Sequence, residues 1–484
     1  MKLQSYIAPL DVDVVLEYIL QILKLFAWTL VLPFVASLFF GEYLYSLIFG
    51  SLSIGLFLIG IAAGKEKEYR MTLNLKDALV VTALSYLAVS LIGGICFLPE
   101  KSYIDGVFET MSGLTTTGLT MVDEQLMPLS LLFFRSYLQW LGGLGIIIIS
   151  LAVLFMPGGI AFRLYQSEFG EENIAGSVIS TARTVVKIYV VLTAVGFGAF
   201  LLAGMGWFDG LIHIFSAIST GGFSVYNDSI GHYHSSKINI VVTLFMFLGA
   251  VSFPIYYMSL KNGIKEFFRD IQVKTLFVII AIASLFFIIT LNGFRSGVTS
   301  AIFQGATPIT GTGFTTLDVS SYSSLQKFFT SLLMCIGGGT GSTTGGIKIL
   351  RLIFLFGLIS WAIWKRSLPE EANIPFKVAG LRISDKEIRI VGAFIVSYFG
   401  ILILSCFAIM GIEGFSFVDS LFEVSSAGGT VGLSVGITHS GLSVVSKIIL
   451  IFDMWAGRLE VIPVLVALSP LTWYRRRSSL RKNT

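Results

Sequence analysis

The sequence predicts an all-α polytopic membrane protein, in which four helix, pore-loop, helix repeats surround one pseudo-fourfold pore and follow two extra N-terminal transmembrane helices. Three observations support this fold class. The chain has 484 residues, of which 55% are hydrophobic and only 13% charged, so it is more apolar than a soluble core requires. Many apolar segments reach the roughly 20 residues that cross a bilayer as a helix. A short glycine motif also returns four times in matched register, which is typical of an internal repeat.

The glycine motif defines the repeats. Its copies read TTTGLT, STGGFS, TGTGFT and GTVGLS, and they align on Gly118, Gly222, Gly313 and Gly432. A leucine or phenylalanine and then a hydroxyl residue follow each glycine; the hydroxyl residues are Thr120, Ser224, Thr315 and Ser434. Six residues before the glycine lie Ser112, Ser216, Thr307 and Ser426. Nine before lie Glu109, His213, Gln304 and Glu423, and thirteen before lie Asp105, Asp209, Ser300 and Asp419. One such glycine is common in a membrane chain, but the shared polar register indicates four copies of one unit.

The elements follow in order along the chain. Two N-terminal spans are predicted near residues 17–40 and 43–63. Each repeat then begins with a long helix, and these lie near 77–98, 183–205, 273–293 and 388–411. Short segments follow at 103–115, 207–219, 298–310 and 417–428; at roughly 18 Å of helix each, they cannot cross alone and are predicted to be re-entrant pore helices. The closing helices lie near 129–155, 238–260, 325–364 and 443–473.

These elements predict the domain organisation. Residues 1–66 form the two N-terminal helices, 67–160 pore repeat 1, and 161–264 pore repeat 2. Residues 265–368 form pore repeat 3, and 369–484 form pore repeat 4 with a basic C-terminal tail.

Lysine and arginine predict the orientation in the membrane. They concentrate in segments 64–76, 261–274, 365–389 and 475–482, whereas Lys101, Arg295 and Lys327 are the clearest cases in the opposite connections. By the positive-inside rule, ten crossings are predicted, both termini are cytoplasmic and the glycine motifs open outward. The net charge of +4 therefore bears on topology and not on a nucleic-acid partner. No H-E-x-x-H or comparable catalytic set is present, so an enzyme is not predicted.

The glycine motif has the chemistry of a cation filter. A dehydrated cation needs oxygen ligands, and a ring of backbone carbonyls from four segments can replace its hydration shell. Glycine permits backbone angles that other residues avoid, while the adjacent Thr and Ser supply hydroxyl oxygens. Each pore helix, entering from outside, would direct the negative end of its dipole toward the ion.

A second glycine-rich stretch interrupts the third closing segment. Residues 337–346 read GGGTGSTTGG, and each glycine inside a helix costs about 1 kcal/mol relative to alanine. We therefore predict a broken helix with a loop under the filter. A phosphate-binding loop is disfavoured, because Lys348 follows GGI without the G-K-[ST] ending and no strand precedes it.

Arg458 lies in the last apolar segment, where a charge is costly enough to require a partner or a water-filled path. Structural pairing with Asp453, with Glu460 or with another helix is one interpretation, although Glu460 would project from another side of the helix. Lys348 and Arg351 are placed where they can snorkel toward the cytoplasm. Glu109 and Glu423 are predicted to brace the filter from behind through hydrogen bonds, since they lie about two helical turns from it.

With a single filter glycine in each of four helix, pore-loop, helix units, the chain resembles the Trk/Ktr/HKT superfamily of potassium transporters over essentially its whole length. The two extra N-terminal helices make the TrkH family the nearest match. The resemblance implies K+ as bound and transported ion, no organic cofactor in this chain, and a multi-pass protein of the cell membrane. Glycine at all four filter positions implies selectivity for K+, whereas some sodium-transporting plant relatives carry serine in the first; a sodium or mixed transporter on the same fold is the alternative.

The resemblance also implies site residues and partners. The ion ligands would be carbonyls of the filter residues Thr116, Thr117, Gly118, Thr220, Gly221, Gly222, Gly311, Thr312, Gly313, Thr430, Val431 and Gly432. The gate would be the loop 337–346, with Gly337, Gly338, Gly339, Gly341, Gly345 and Gly346, together with Arg458. The implied assembly is a homodimer regulated by a cytoplasmic TrkA-like ring of RCK nucleotide-binding domains.

Overall fold

The computed structural model describes residues 10–63, 74–154, 178–291, 297–369, 375–378 and 381–473. Helices dominate these residues, and one short antiparallel pair, Lys377–Val378 with Leu381–Arg382, forms the strands. The basic residues predicted at 65–70, 295 and 475–482 lie outside the described residues. The predicted all-α polytopic fold class is confirmed by this helical architecture and by the structural match reported below.

Two N-terminal segments pack against repeat 1. Helices Val12–Thr29 and Val31–Phe39 together make one span-length segment, and Tyr43–Ala63 makes the second. The Glu42 carboxylate accepts hydrogen bonds from the backbone N–H groups of Leu129 (2.9 Å) and Ser130 (3.0 Å), at the start of the first closing helix. Tyr45 donates to Glu100 at 2.7 Å. These contacts fix the N-terminal pair to repeat 1 at the end where its closing helix begins.

Each repeat begins with a long apolar helix. These helices are Leu75–Gly93, Val178–Ala203, Ile271–Thr290 and Asp385–Glu413. The fourth begins with a capping box: Ser384 N–H donates to Glu387 at 2.8 Å, and Glu387 N–H donates to Ser384 at 3.4 Å. This reciprocal pair satisfies amide groups that the first helical turn leaves without partners.

The four pore helices are short and buried. Their bounds are Tyr103–Leu114, Trp207–Ile218, Val298–Ile309 and Phe417–Gly429. Ser102 and Ser416 cap the first and the fourth by accepting from the N–H groups of Asp105 (3.4 Å) and Asp419 (3.1 Å). Because the C-terminal halves are enclosed by the surrounding helices, the chain that follows each pore helix emerges inside the protein.

Only the first closing segment is one continuous helix, Leu129–Leu154. The second bends by 90° between Ser236–Ala250 and Phe253–Asn262. The third divides into Ser324–Met334 and Ile349–Arg366, and the fourth into Val444–Arg458, Ile462–Leu468 and Pro470–Trp473. The prediction of a broken third helix is confirmed, whereas continuous helices at 238–260 and 443–473 were wrong. Pro254 and Pro463 are the second residues of the helices that follow the breaks after Ala250 and Arg458. A proline is tolerated in the first helical turn because it needs no amide partner there.

The breaks also change the number of recognisable spans. Seven described helices are long and apolar enough to cross a membrane, or eight if the bent second closing segment counts as one. The other two of the ten predicted crossings are the divided third and fourth closing segments. Their longest helix, Ile349–Arg366, carries three basic residues, and their other helices are too short to cross alone. Short helices complete the description: Lys265–Arg269 and the 3₁₀ turns Gly94–Phe97, Glu124–Leu126, Ser229–Tyr233 and Val319–Ser321.

Candidate functional site

The four glycine motifs meet in a closed ring. We define filter turns 1 to 4 as residues 116–118, 220–222, 311–313 and 430–432. At each filter glycine, an added Cβ would lie closer than 3.0 Å to the carbonyl oxygen of the residue before the glycine in the adjacent turn. The pairs are Gly118 with Gly221, Gly222 with Thr312, Gly313 with Val431, and Gly432 with Thr117. The contacts run from turn 1 through turns 2, 3 and 4 and back to turn 1, so all twelve predicted filter residues lie around one axis.

The backbone has the same unusual conformation in all four turns. The filter glycines have φ angles of +90°, +76°, +77° and +95° in chain order. Two residues earlier, φ is again positive, at +51° for Thr116, +53° for Thr220, +63° for Gly311 and +51° for Thr430. A left-handed conformation at a threonine costs on the order of 1–2 kcal/mol. Three such threonines at the same position indicate a backbone shape that the surrounding structure imposes.

A hydroxyl on the pore helix holds each of three filter turns. Ser112 accepts from Gly118 N–H at 3.0 Å and donates to the carbonyl of Leu119 at 2.6 Å. Thr307 donates to the carbonyl of Phe314 at 2.8 Å, and Ser426 accepts from Gly432 N–H at 3.0 Å. The register six residues before the glycine therefore has a direct structural cause.

The polar residue nine positions before the glycine braces the chain just beyond every filter turn. Glu109 accepts from Thr120 at 2.8 Å, and Glu423 accepts from Ser434 at 2.8 Å, so both predicted braces are confirmed. His213 and Gln304 make the equivalent contacts, and each lies 2.9 Å from the hydroxyl two residues after its filter glycine, Ser224 and Thr315 respectively. The alignment of the four motifs places all four residues at the same position, but the sequence interpretation assigned the bracing role only to the two glutamates.

Glu423 makes further hydrogen bonds beyond the one to Ser434. Its fully buried carboxylate also accepts from Val435 N–H (3.2 Å) and from Thr438 N–H (3.0 Å). We expect Glu423→Gln to lower the melting temperature of the purified protein by several degrees, since the amide nitrogen cannot accept these bonds. Thermal unfolding in detergent measures this. Glu17→Gln is the matched control, because Glu17 is only partly buried and accepts one long bond, from Gln21 at 3.4 Å. Equal melting temperatures for the two variants would contradict the brace.

Three ion pairs that the sequence interpretation did not predict lie beside the pore helices. Lys447 pairs with Asp105 at 2.6 Å, and Lys327 pairs with Asp419 at 2.7 Å. Arg135, fully buried, pairs with Glu109 at 2.9 Å. Each cation is on a closing helix, and two of these pairs join different repeats. The available signal was a basic residue inside an apolar closing segment, which requires a buried partner.

The glycine loop 337–346 is buried between the two halves of the third closing segment. Gly339 N–H donates to the carbonyl of Ala250 at 2.9 Å, and Thr343 donates through its hydroxyl to the carbonyl of Gly249 at 3.0 Å. Ser252 donates to the carbonyl of Thr340 at 2.6 Å. The loop therefore bonds to the bend in the second closing segment, whose free carbonyls receive its donors.

The loop also touches three of the four filter turns, each time at the residue two positions before the filter glycine. Thr220 donates to the Thr343 hydroxyl at 3.1 Å. An added Cβ on Gly345 would lie closer than 3.0 Å to the Thr430 side chain, and one on Gly311 would lie 3.5 Å from Cβ of Thr344. The loop is thus in direct contact with one side of the ring, which we call its underside and which contains residues 220, 311 and 430. A larger residue at Gly345 would collide with turn 4.

Arg458 reaches this loop from the fourth closing segment. Its guanidinium donates to the carbonyl of Thr343 and, at 3.0 Å, to the carbonyl of Gly142. Of the predicted alternatives, pairing with Asp453 or with Glu460 is wrong, whereas the bond to Gly142, on the closing helix of repeat 1, agrees with pairing to another helix. Asp453 accepts from Ser405 at 2.8 Å, and Glu460 pairs with Arg351. The break after Arg458 turns Glu460 away from it.

Lys348 does not snorkel as predicted, because its ammonium is buried and donates to the Thr344 hydroxyl at 3.1 Å. Two cationic groups, those of Arg458 and Lys348, therefore bind loop oxygens on the side of the ring that the loop contacts.

Among the described residues no group of three or more His, Cys, Asp or Glu side chains could hold a metal ion.

Comparisons with known proteins agree with this architecture. The TrkH family, described as cation transport protein, matches residues 54–473. An uncharacterized cation transporter of Methanocaldococcus jannaschii is 33% identical over 468 residues, which cover 95% of this chain and 96% of that protein. The Trk system potassium uptake protein TrkH of Escherichia coli (strain K12) is 30% identical over 475 residues, covering 93% of this chain and 96% of that protein.

A solved structure has the same fold. The crystal structure of the potassium transporter TrkH from Vibrio parahaemolyticus superposes with a TM-score of 0.84 at 26% sequence identity, and the match covers 95% of this chain and 100% of that one. The family resemblance inferred from the glycine motifs is therefore confirmed. The chain is a multi-pass membrane protein that belongs to the TrkH family of cation transport proteins.

Proposed function

We propose that this protein conducts K+ across the cell membrane through the ring of filter turns. The observation that carries the proposal is the closed ring, in which each filter glycine faces a carbonyl oxygen of the next turn. Main-chain oxygens gathered about one axis can substitute for the hydration shell of an alkali cation. The ligands we assign are the carbonyls of the twelve filter residues. Relatives named as potassium uptake proteins support K+ as the ion.

We further propose that the glycine loop and Arg458 form the gate. The loop lies against the underside of the filter, and the buried guanidinium binds it there. This position would obstruct an ion that leaves the ring toward the cytoplasm. The two buried cationic groups would also repel it, because electrostatic interactions are strong where water is scarce.

The proposal extends to topology and assembly. We place both termini in the cytoplasm, and we keep the division into N-terminal helices 1–66 and repeats 67–160, 161–264, 265–368 and 369–484. By analogy with the Trk system relatives, we propose a homodimer that binds a TrkA-like RCK regulatory subunit, with the nucleotide bound by that subunit and no organic cofactor in this chain. Co-purification with such a subunit, and the mass of the detergent-solubilised complex, test the assembly.

The test of the function is ion flux through the purified protein in liposomes. We expect K+ flux to exceed Na+ flux when the two ions are supplied at equal concentrations. Equal fluxes would support the alternative of a mixed transporter, and predominant Na+ flux would support a sodium transporter on the same fold. Repeating the measurement with and without a proton or sodium gradient shows whether transport is coupled.

Removing residues 1–63 tests the proposed division into domains. We expect the truncated protein to keep the K+ to Na+ flux ratio, because every filter turn and the glycine loop remain. Its melting temperature should fall, since the N–H groups of Leu129 and Ser130 lose the Glu42 carboxylate. A purified truncation with a different ion preference would contradict the division.

A further inference from the structure

One amide side chain from the closing helix of repeat 1 clamps filter turn 2. Gln139 is fully buried on Leu129–Leu154. Its Nε2 donates to the carbonyl of Gly221 at 2.6 Å, and its Oε1 accepts from Phe223 N–H at 3.2 Å. These two backbone groups flank Gly222, the filter glycine. Only one orientation of the amide satisfies both partners, because the amide nitrogen can only donate and the amide oxygen can only accept.

Gln139 fills the space that a side chain would need at Gly221. A Cβ added to Gly221 would lie closer than 3.0 Å to Cδ, Oε1 and Nε2 of Gln139. The residue at this position in the other turns does carry a side chain, namely Thr117, Thr312 or Val431. Glycine at 221 and glutamine at 139 are therefore a matched pair, and neither can change without disturbing the other.

The other closing helices have methionine where repeat 1 has Gln139. Three glycines of the closing helices, Gly142, Gly249 and Gly457, align the repeats. A Cβ added to any of them would lie closer than 3.0 Å to a carbonyl oxygen of its own repeat, that of the residue four positions before the filter glycine. Gln139, Met246 and Met454 each lie three residues before these glycines. Gln139 is ten residues after the start of its helix at Leu129, and Met334 is ten residues after the start of the third closing helix at Ser324. A methionine cannot donate a hydrogen bond. The polar clamp therefore occurs at turn 2 and has no counterpart at the equivalent positions of the other repeats.

The Gly221 carbonyl that Gln139 binds is itself a member of the ring, where it faces Gly118 of turn 1. Arg135, one helical turn before Gln139, adds a second restraint by placing its guanidinium 4.0 Å from the centre of the Phe223 ring. We propose that Gln139 is a positioning residue for ion discrimination, which fixes the Gly221 carbonyl in the filter ring. This inference rests on the proposed function, because it assumes that the ring selects the ion.

The first test removes the clamp. In liposomes, Gln139→Met is expected to lower the ratio of K+ to Na+ flux about two- to tenfold, the range that corresponds to one lost neutral hydrogen bond. Met454→Leu, at the equivalent position of repeat 4, is the matched control and should keep the wild-type ratio. A folded Gln139→Met protein with the wild-type ratio would overturn the proposal.

The second test replaces Gln139 and Gly221 by the pair of residues found at the equivalent positions of repeats 3 and 4. Met334 of the third closing helix and Val431 of turn 4 pack in one apolar cluster. The double variant Gln139→Met with Gly221→Val copies that pair, and we expect it to recover a flux ratio within about twofold of the wild type. Gly221→Val alone should be less stable than the double variant, because its Cβ collides with the retained glutamine.

Different results would reject the role of Gln139 and the proposed function of the protein. A double variant no closer to the wild-type ratio than Gln139→Met would overturn the role of the matched pair. Wild-type protein that carries no K+, or does not distinguish K+ from Na+, would reject the proposed function itself. Wild-type discrimination combined with an unaffected Gln139→Met would reject only the role of Gln139.

Discussion

Gly118→Ser is expected to lower the ratio of K+ to Na+ flux on the order of tenfold, which corresponds to about 1.4 kcal/mol of lost discrimination. The serine Cβ would lie closer than 3.0 Å to the carbonyl oxygen of Gly221, so that the oxygen must move out of the ring. A displaced carbonyl leaves the larger, more weakly hydrated K+ without one of the ligands that offset its dehydration. Flux of both ions through the purified variant in liposomes measures the effect.

The chain offers a matched control for this substitution. Gly436 has a φ of +94°, close to the +90° of Gly118, but an added Cβ there would meet no atom within 4 Å. Gly436→Ser therefore introduces comparable backbone strain without a collision in the ring, and we expect it to keep the wild-type ratio. Gly118→Ser with unaltered discrimination in a folded protein would count against the filter assignment, as would an equal loss in the control.

Arg458→Ala is expected to raise K+ flux on the order of tenfold. The guanidinium donates to the carbonyls of Thr343 and Gly142, and it is 1% exposed. A hydrogen bond from a charged group contributes about 1.5–3 kcal/mol, so its loss weakens the closed position of the loop by at least roughly a factor of ten. The alanine also removes a positive charge from the route of the ion. Initial rates of K+ uptake into liposomes measure the change.

Two comparisons separate gating from a general loss of structure. Arg269→Ala removes an arginine whose side chain is 72% exposed and pairs only weakly with Glu266, and it should leave flux unchanged. Deletion of residues 337–346 should raise flux in the same direction as Arg458→Ala, because it removes the obstruction itself. If the alanine variant keeps the wild-type melting temperature and the wild-type rate, Arg458 does not hold a gate.

The sequence could predict the features that depend on local backbone and on segment length. Glycine at 118, 222, 313 and 432 is recognisable because a positive φ with a close neighbour excludes a side chain. The glycine loop was predicted for a similar reason, since six glycines do not form a stable helix. The breaks at Val251 and Glu460 were not predicted, because both segments have the length of a span and length alone predicts a continuous helix.

The partners of buried polar groups could not be predicted in the same way. Gln139 and Gly221 are 82 residues apart, and Arg458 and Thr343 are 115 apart. Sequence spacing places Arg458 nearest to Asp453 and Glu460, yet its partners are carbonyls from two other repeats. Such contacts depend on which helices pack side by side, and no periodicity in one segment records that arrangement.

The sequence by itself therefore determined the four repeated glycine motifs and two of the four polar residues that brace the chain beyond them, because these follow from backbone geometry and from the cost of polar groups in lipid. Only the tertiary structure decided that the turns follow one another around a ring, that the loop touches three of them, and that Gln139 and Arg458 bind main-chain oxygens. The physical reason is that a buried donor takes whichever acceptor the packing brings within about 3 Å, wherever that acceptor lies in the chain.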